Sequence, residues 1–168
     1  MRYCFVILGC LCACSRFQTH VDFPEQLDKI GQIIEVTKGV LLMEKRYTAT
    51  QMEDAVKQYR CPVYGIDAKD YLCKSSIRCY GEFTVELGVL TISYAAKYER
   101  WREVLAHEYI HFFNYTIEGR VDVWHRDERF FEFGCKWRYP PESKELFACQ
   151  KKSAEGIINE RLKLLDLK

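Results

Sequence analysis

The sequence predicts an α+β fold: a small antiparallel sheet packed on one long helix, with further helices flanking it. Three observations point there. Residues 61–94 carry short runs in which apolar and polar side chains alternate. Residues 95–115 then run on without Gly or Pro. Before and after these stretches, apolar residues recur at helical spacing. The 168 residues suffice for one domain with a real core, so neither metal nor disulfide is needed merely to fold. No repeat, low-complexity tract or Pro/Gly/Ser linker divides the chain. The expected division is a leader over residues 1–20 and a single domain over 21–168.

The elements follow in order. Asp22-Phe-Pro-Glu25 opens a helix: Asp caps, Pro24 suits the first turn and Glu25 lies three residues on. Leu27, Ile30, Ile33 and Ile34 mark its buried side, Gly39 is its expected stop, and Val40 to Met43 read as a short strand. Thr50-Gln-Met-Glu53 reads as the capping box of a second helix, with Met52, Ala55, Val56 and Tyr59 on one face and Pro62 beyond its end. In the sheet region Tyr64, Ile66, Ile77, Tyr80 and Phe83 alternate loosely. Val89 to Tyr94 alternate strictly, after a hairpin turn at Glu86-Leu87-Gly88. The long helix spans Ala95 to Tyr115. A loop around Gly119, a helix from Asp127 to Trp137, a break at Pro140-Pro141 and helices over Glu142–Cys149 and Ser153–Leu165 complete the chain.

The N-terminus has the shape of a secretory signal. Tyr3 to Cys14 is uncharged, with Arg2 before it and Ser15 and Arg16 after it. The run is too short for a transmembrane helix, which takes about 20 residues. Leu11-Cys-Ala-Cys14 also looks like a lipobox, in which Cys14 would carry the lipid. The expectation is secretion, or membrane anchoring through the leader; the alternative is a cytoplasmic protein with a buried first element. Outside the leader lie Cys61, Cys73, Cys79, Cys135 and Cys149, none in a C-x-x-C pair, so no zinc ribbon exists. An exported chain would form one or two disulfides among them, most easily among Cys61, Cys73 and Cys79; a cytosolic one would keep free thiols.

Charge narrows the partners. Lys+Arg is 25 and Asp+Glu is 24, which excludes a surface basic throughout. A local basic cluster of Arg126, Arg129, Lys136 and Arg138 leaves an acidic or nucleic-acid-bound substrate open.

Chemistry concentrates in His107-Glu108-Tyr109-Ile110-His111, an H-E-x-x-H inside the long helix. Spacing of four brings both imidazoles to one face, where they can share an ion. Glu108 is placed beside that ion to take a proton from a water it activates. Trp101, Val104, Leu105, Phe112, Phe113 and Tyr115 make this helix largely buried, where two histidines and a glutamate are costly without a common partner. A third ligand must come from downstream. His125 is the leading candidate, with the turn at Glu118-Gly-Arg120 giving the chain room to return. Asp122 is its rival, because Gly119-Arg-Val-Asp122 resembles the third-ligand segment of aspzincin peptidases; Glu128 and Glu132 are weaker rivals. The metzincin spacing is absent, since position 114 is Asn and position 117 is Ile. Tyr80 and Tyr115 are candidates for a hydroxyl facing an oxyanion.

Gly88-Val-Leu-Thr-Ile-Ser-Tyr followed by Glu99-Arg-Trp-Arg-Glu-Val-Leu-Ala-His-Glu-Tyr-Ile-His resembles the SprT-like (Spartan-type) metallopeptidases, and Trp124-His-Arg-Asp-Glu-Arg-Phe-Phe matches their third-histidine segment in order and character. The likeness covers roughly Cys73 to Trp137. Arg126 stands where relatives carry Gly or Asp, and no zinc ribbon follows. The resemblance implies a minigluzincin-type zincin core, Zn2+ on His107, His111 and His125, Glu108 as general base, and a protein or peptide substrate. The near-neutral charge counts against the nucleic-acid partner of the family's DNA-repair members. The competing expectation is a non-catalytic zinc-binding adaptor, its site closed by a fourth ligand such as Asp122 or Cys135.

Overall fold

The computed structural model describes residues 19–20 and 24–165, with side chains from residue 26 onward. The expected leader lies outside the described residues except for its last two. Those two, Thr19–His20, form strand β1. Helices α1 (Pro24–Met43) and α2 (Ala49–Gln58) follow, then β2 (Val63–Ile66), β3 (Tyr71–Leu72), β4 (Arg78–Cys79), β5 (Gly81–Glu86) and β6 (Val89–Ala95). Helices α3 (Trp101–Glu118), α4 (Glu132–Arg138), α5 (Lys144–Lys152) and α6 (Ala154–Leu165) complete the order. The α+β class predicted from the sequence is the one observed.

The sheet differs from the antiparallel one expected. Its order is β1-β2-β6-β5, with β1, β2 and β6 parallel and β5 alone antiparallel, paired with β6. The hairpin was legible because its turn is local: Leu87 (φ 48°) and Gly88 (φ 79°) give the type I′ geometry that matches strand twist. The pairing of β2 with β6, which sets Val63 against Ile92, joins distant segments and leaves no local mark. Among the described residues β5 is left as an edge strand.

Three boundaries also move. α1 runs through Gly39 to Met43, so the expected strand at Val40 to Met43 is helix. A mid-helix Gly costs about 1 kcal/mol, while burying Val40 and Leu41 returns about 1.5–3 kcal/mol each; both are fully buried. The capping box of α2 is Thr48 with Gln51, two residues before the predicted one. α3 starts at Trp101 because Ala95 ends β6 and the amides of Ala96 and Lys97 bond to Ile66 and Ala68 carbonyls.

α3 is the central element. Leu105, Ala106 and every residue from Glu108 to Asn114 are buried, and the helix packs on β5 and β6, on α1 and α2, and on α6. Among the described residues two disulfides brace the periphery: Cys73–Cys79 closes the β3–β4 excursion and Cys135–Cys149 ties α4 to α5. Cys61 is a buried free thiol. Among the described residues no helix is long and apolar enough to cross a membrane.

Candidate metal centre

α3 presents His107 and His111 one turn apart, and the chain returns past them in the loop between α3 and α4. Gly119, left-handed at φ 71°, ends α3, its amide bonded to the Tyr115 carbonyl at 2.9 Å. The loop is then stitched to itself. The Asp127 amide donates to the Asp122 carboxylate at 2.7 Å, and the His125 amide to the Asp122 carbonyl at 2.9 Å. Asp127 receives Arg120 and Arg129 and bonds the amides of Phe130 and Phe131 through its carbonyl. His125 itself adopts φ +51° at the loop's apex.

This architecture brings three imidazoles to one point. His125 Nε2 lies 2.9 Å from His107 Nε2 and 2.9 Å from His111 Nε2. The three ligand atoms lie within 4.8 Å of one another. Phe131, fully buried, floors the group: its ring centroid is 5.0, 4.7 and 4.9 Å from those of His107, His111 and His125.

The donor set fits a metal ion. Nitrogens on one tetrahedral zinc stand about 3.3 Å apart, near the observed contacts. Hydrogen bonding alone serves the trio poorly, since a single Nε2–H on His125 would face two acceptors; one shared cation satisfies all three lone pairs. Burial, and then the neighbouring His107, pushes His125 down to about 4; burial, with His107 and His125, holds His111 well below the ordinary range. Both are therefore neutral at pH 7, as ligation requires.

Two carboxylates complete the centre. Glu155, at the start of α6, accepts from His107 Nδ1 at 2.7 Å and from the Glu132 amide at 2.8 Å. Burial would depress His107, but the Glu155 hydrogen bond and charge outweigh it and raise the imidazole above its usual range. Glu155 takes the Nδ1 proton in this hydrogen bond, which leaves Nε2 as the nitrogen for a metal, as in many carboxylate–histidine–metal units; the raised basicity means that a metal there would displace a proton from Nε2. Glu108 is 6% exposed and accepts from the Phe83 amide. Burial pushes it up to about 7, against the pull of His107 and the Phe83 amide. Gly81 permits this packing: a Cβ there would meet Glu108 Oε1 at 2.7 Å and collide with Val104. A cavity of about 270 Å3 opens beside Glu108 and His107, walled by Tyr80, Gly81 and Val104.

The other sequence candidates separate cleanly. Asp122 organises the ligand loop and is not one of the convergent ligands. Glu132 bonds Asn159, and Glu128 pairs with Arg138. Cys135 cannot close a structural site, because its sulfur is bonded to Cys149. Tyr80 reaches the cavity, stacked on Tyr98 at 4.1 Å, whereas Tyr115 packs beside Phe83. Sequence reasoning missed Glu155 altogether. Its only local signal is an acidic residue in a first helical turn, which ordinary helix-dipole preference already explains. Comparison with family models, curated proteins and solved structures finds no match to this chain.

Proposed function

We propose that the centre is that of a zinc-dependent peptidase. Glu108 carries the proposal: a buried carboxyl one residue from a convergent histidine, at the wall of an open cavity. A carboxylate held there can take a proton from a water and return it to a leaving group. Three imidazoles favour zinc among the common ions and leave a fourth position for chemistry. Zinc so held supplies a Lewis acid that polarises a carbonyl and makes water acidic near neutrality. Glu108 takes the proton of the attacking water and delivers it to the departing amine. His107 is held by Glu155, and His125 by the stitched loop, so neither has to reorganise. Among the described residues β5 is the edge of the sheet, and its outward backbone groups, the Phe83 amide taken by Glu108 apart, can pair with an extended peptide. The SprT-like resemblance points the same way, and the two disulfides favour an exported protein.

The decisive variant is Glu108→Gln. It should retain one zinc per chain and lose peptide hydrolysis at least about 100-fold. An active Glu108→Gln protein refutes the assignment. His125→Ala should lose most of its metal by elemental analysis, while Asp122→Ala should keep it; the reverse result would favour the aspzincin-like ligand set.

A further inference from the structure

The basic cluster divides in two. Arg129 is taken by Asp127 and Arg138 by Glu128. Arg126 and Lys136 make no ion pair among the described residues. Each lies instead over an exposed ring: the Arg126 guanidinium is 5.0 Å from the Trp137 centroid, and Lys136 Nζ is 5.5 Å from that of Phe133. Phe133 is 46% exposed and Trp137 59%, far outside the core. Their rings meet edge to face at 6.1 Å, and Phe133 stands 6.4 Å from the His125 ring. An aromatic strip thus runs outward from the third histidine, with an unneutralised cation on each ring.

We propose that this strip seats acidic stretches of the polypeptide substrate beside the metal centre. The proposal rests on the peptidase reading and adds a substrate class to it. Contiguous exposed apolar surface marks interaction sites, and interface cores are enriched in aromatic rings and Arg. Cations over those rings leave an amphipathic strip, suited to a chain that alternates apolar side chains with carboxylates. Two free cations match a few carboxylates. They are too few for a nucleic acid, whose binding typically neutralises about 6–10 phosphates. Continuity with His125 makes the occupant the chain being cleaved.

The test uses the zinc-loaded Glu108→Gln protein and two fluorescent peptides of one aromatic-containing sequence, one with Asp and Glu and the other with Asn and Gln. The acidic peptide should bind about tenfold tighter, and its advantage should shrink as salt rises from about 50 to 300 mM. Trp137 emission should change on binding. Adding Arg126→Glu and Lys136→Glu should abolish the acidic preference, with zinc content and melting temperature showing that these surface changes leave the fold intact. Equal binding of both peptides overturns the proposal. So does tighter binding of a single-stranded oligonucleotide of equal charge. Hydrolysis by the wild-type protein is scored separately: no cleavage with acidic preference intact refutes the peptidase reading and leaves the strip a binding surface for acidic segments.

Discussion

His107 and Glu155 are 48 residues apart in the chain and 2.7 Å apart in the fold. Through this contact α6 orients the His107 imidazole on α3. Glu155 also bonds the Glu132 amide through its second oxygen and the Phe130 carbonyl through its own amide. One residue therefore joins α3, the segment entering α4, and α6. Glu155→Ala should weaken metal affinity by about 10–100-fold, measured by competition with a chelator. Glu155→Gln keeps an acceptor without the charge and should lie between the two. Equal affinity in all three proteins would show the contact to be incidental.

Gly134 fixes the distance between α4 and the ligand loop. A Cβ there would sit 2.6 Å from the Glu128 amide nitrogen and 2.8 Å from the Arg126 carbonyl, both backbone atoms that cannot rotate away. Gly134→Ala should destabilise the fold by about 1–3 kcal/mol in a denaturant titration. It should also lower metal affinity, because the atoms displaced are neighbours of His125. A stable variant with full affinity would show that the loop yields freely.

Acid should loosen the same loop. Burial works against ionised Asp127, but the Arg129 and Arg120 hydrogen bonds prevail and hold it at about 2, below its ordinary 3.8. Its contribution is complete above about pH 4 and lost as pH falls through about 2. With both arginines about half exposed, screening leaves on the order of 1 kcal/mol. Asp127→Asn should be less stable than wild type by this amount at pH 7, and the difference should vanish near pH 2. A constant difference across that range would disprove the link.

Cys61 should be inert. Burial pushes its thiol from an ordinary 9 up to about 12. In native protein at pH 8 the Cys61 peptide should stay unmodified by iodoacetamide, and it should react after unfolding. A folded value above the unfolded one means full stability below about pH 9, declining as pH rises toward 12. Rapid alkylation of the folded protein would contradict the burial.

The Cys135–Cys149 bridge closes a 14-residue separation, for which loop-closure entropy predicts about 3 kcal/mol. The double serine variant should show a lower denaturation midpoint by about that amount. An unchanged midpoint would mean that α4 and α5 hold each other without it.

Three of the residues that meet at the centre were legible because they sit in one helix. His107, Glu108 and His111 follow a spacing that a helix converts directly into a shared face. His125 was legible as the leading candidate, an imidazole downstream of a Gly-bearing turn, with Asp122 as its rival. Glu155 was not, because a hydrogen bond across 48 residues leaves no periodicity. The same divide runs through the fold. The Leu87-Gly88 hairpin is written in adjacent residues, but the parallel pairing of β2 with β6 is decided by how helices cover the sheet. Gly39 misled because its local cost is small beside the burial of Val40 and Leu41. Ile77 fitted an alternating pattern and is nonetheless exposed, in the segment between Cys73 and Cys79 where a covalent tie stands in for packing.

The placement of Glu155 in the first turn of α6 also makes the centre depend on residues made late in synthesis. During synthesis the three histidines leave the ribosome well before that carboxylate does. Until α6 is made and docked, His107 lacks its anchor and Phe130 its backbone partner. A chain that stopped before α6 would carry the three histidines without the contact that orients His107.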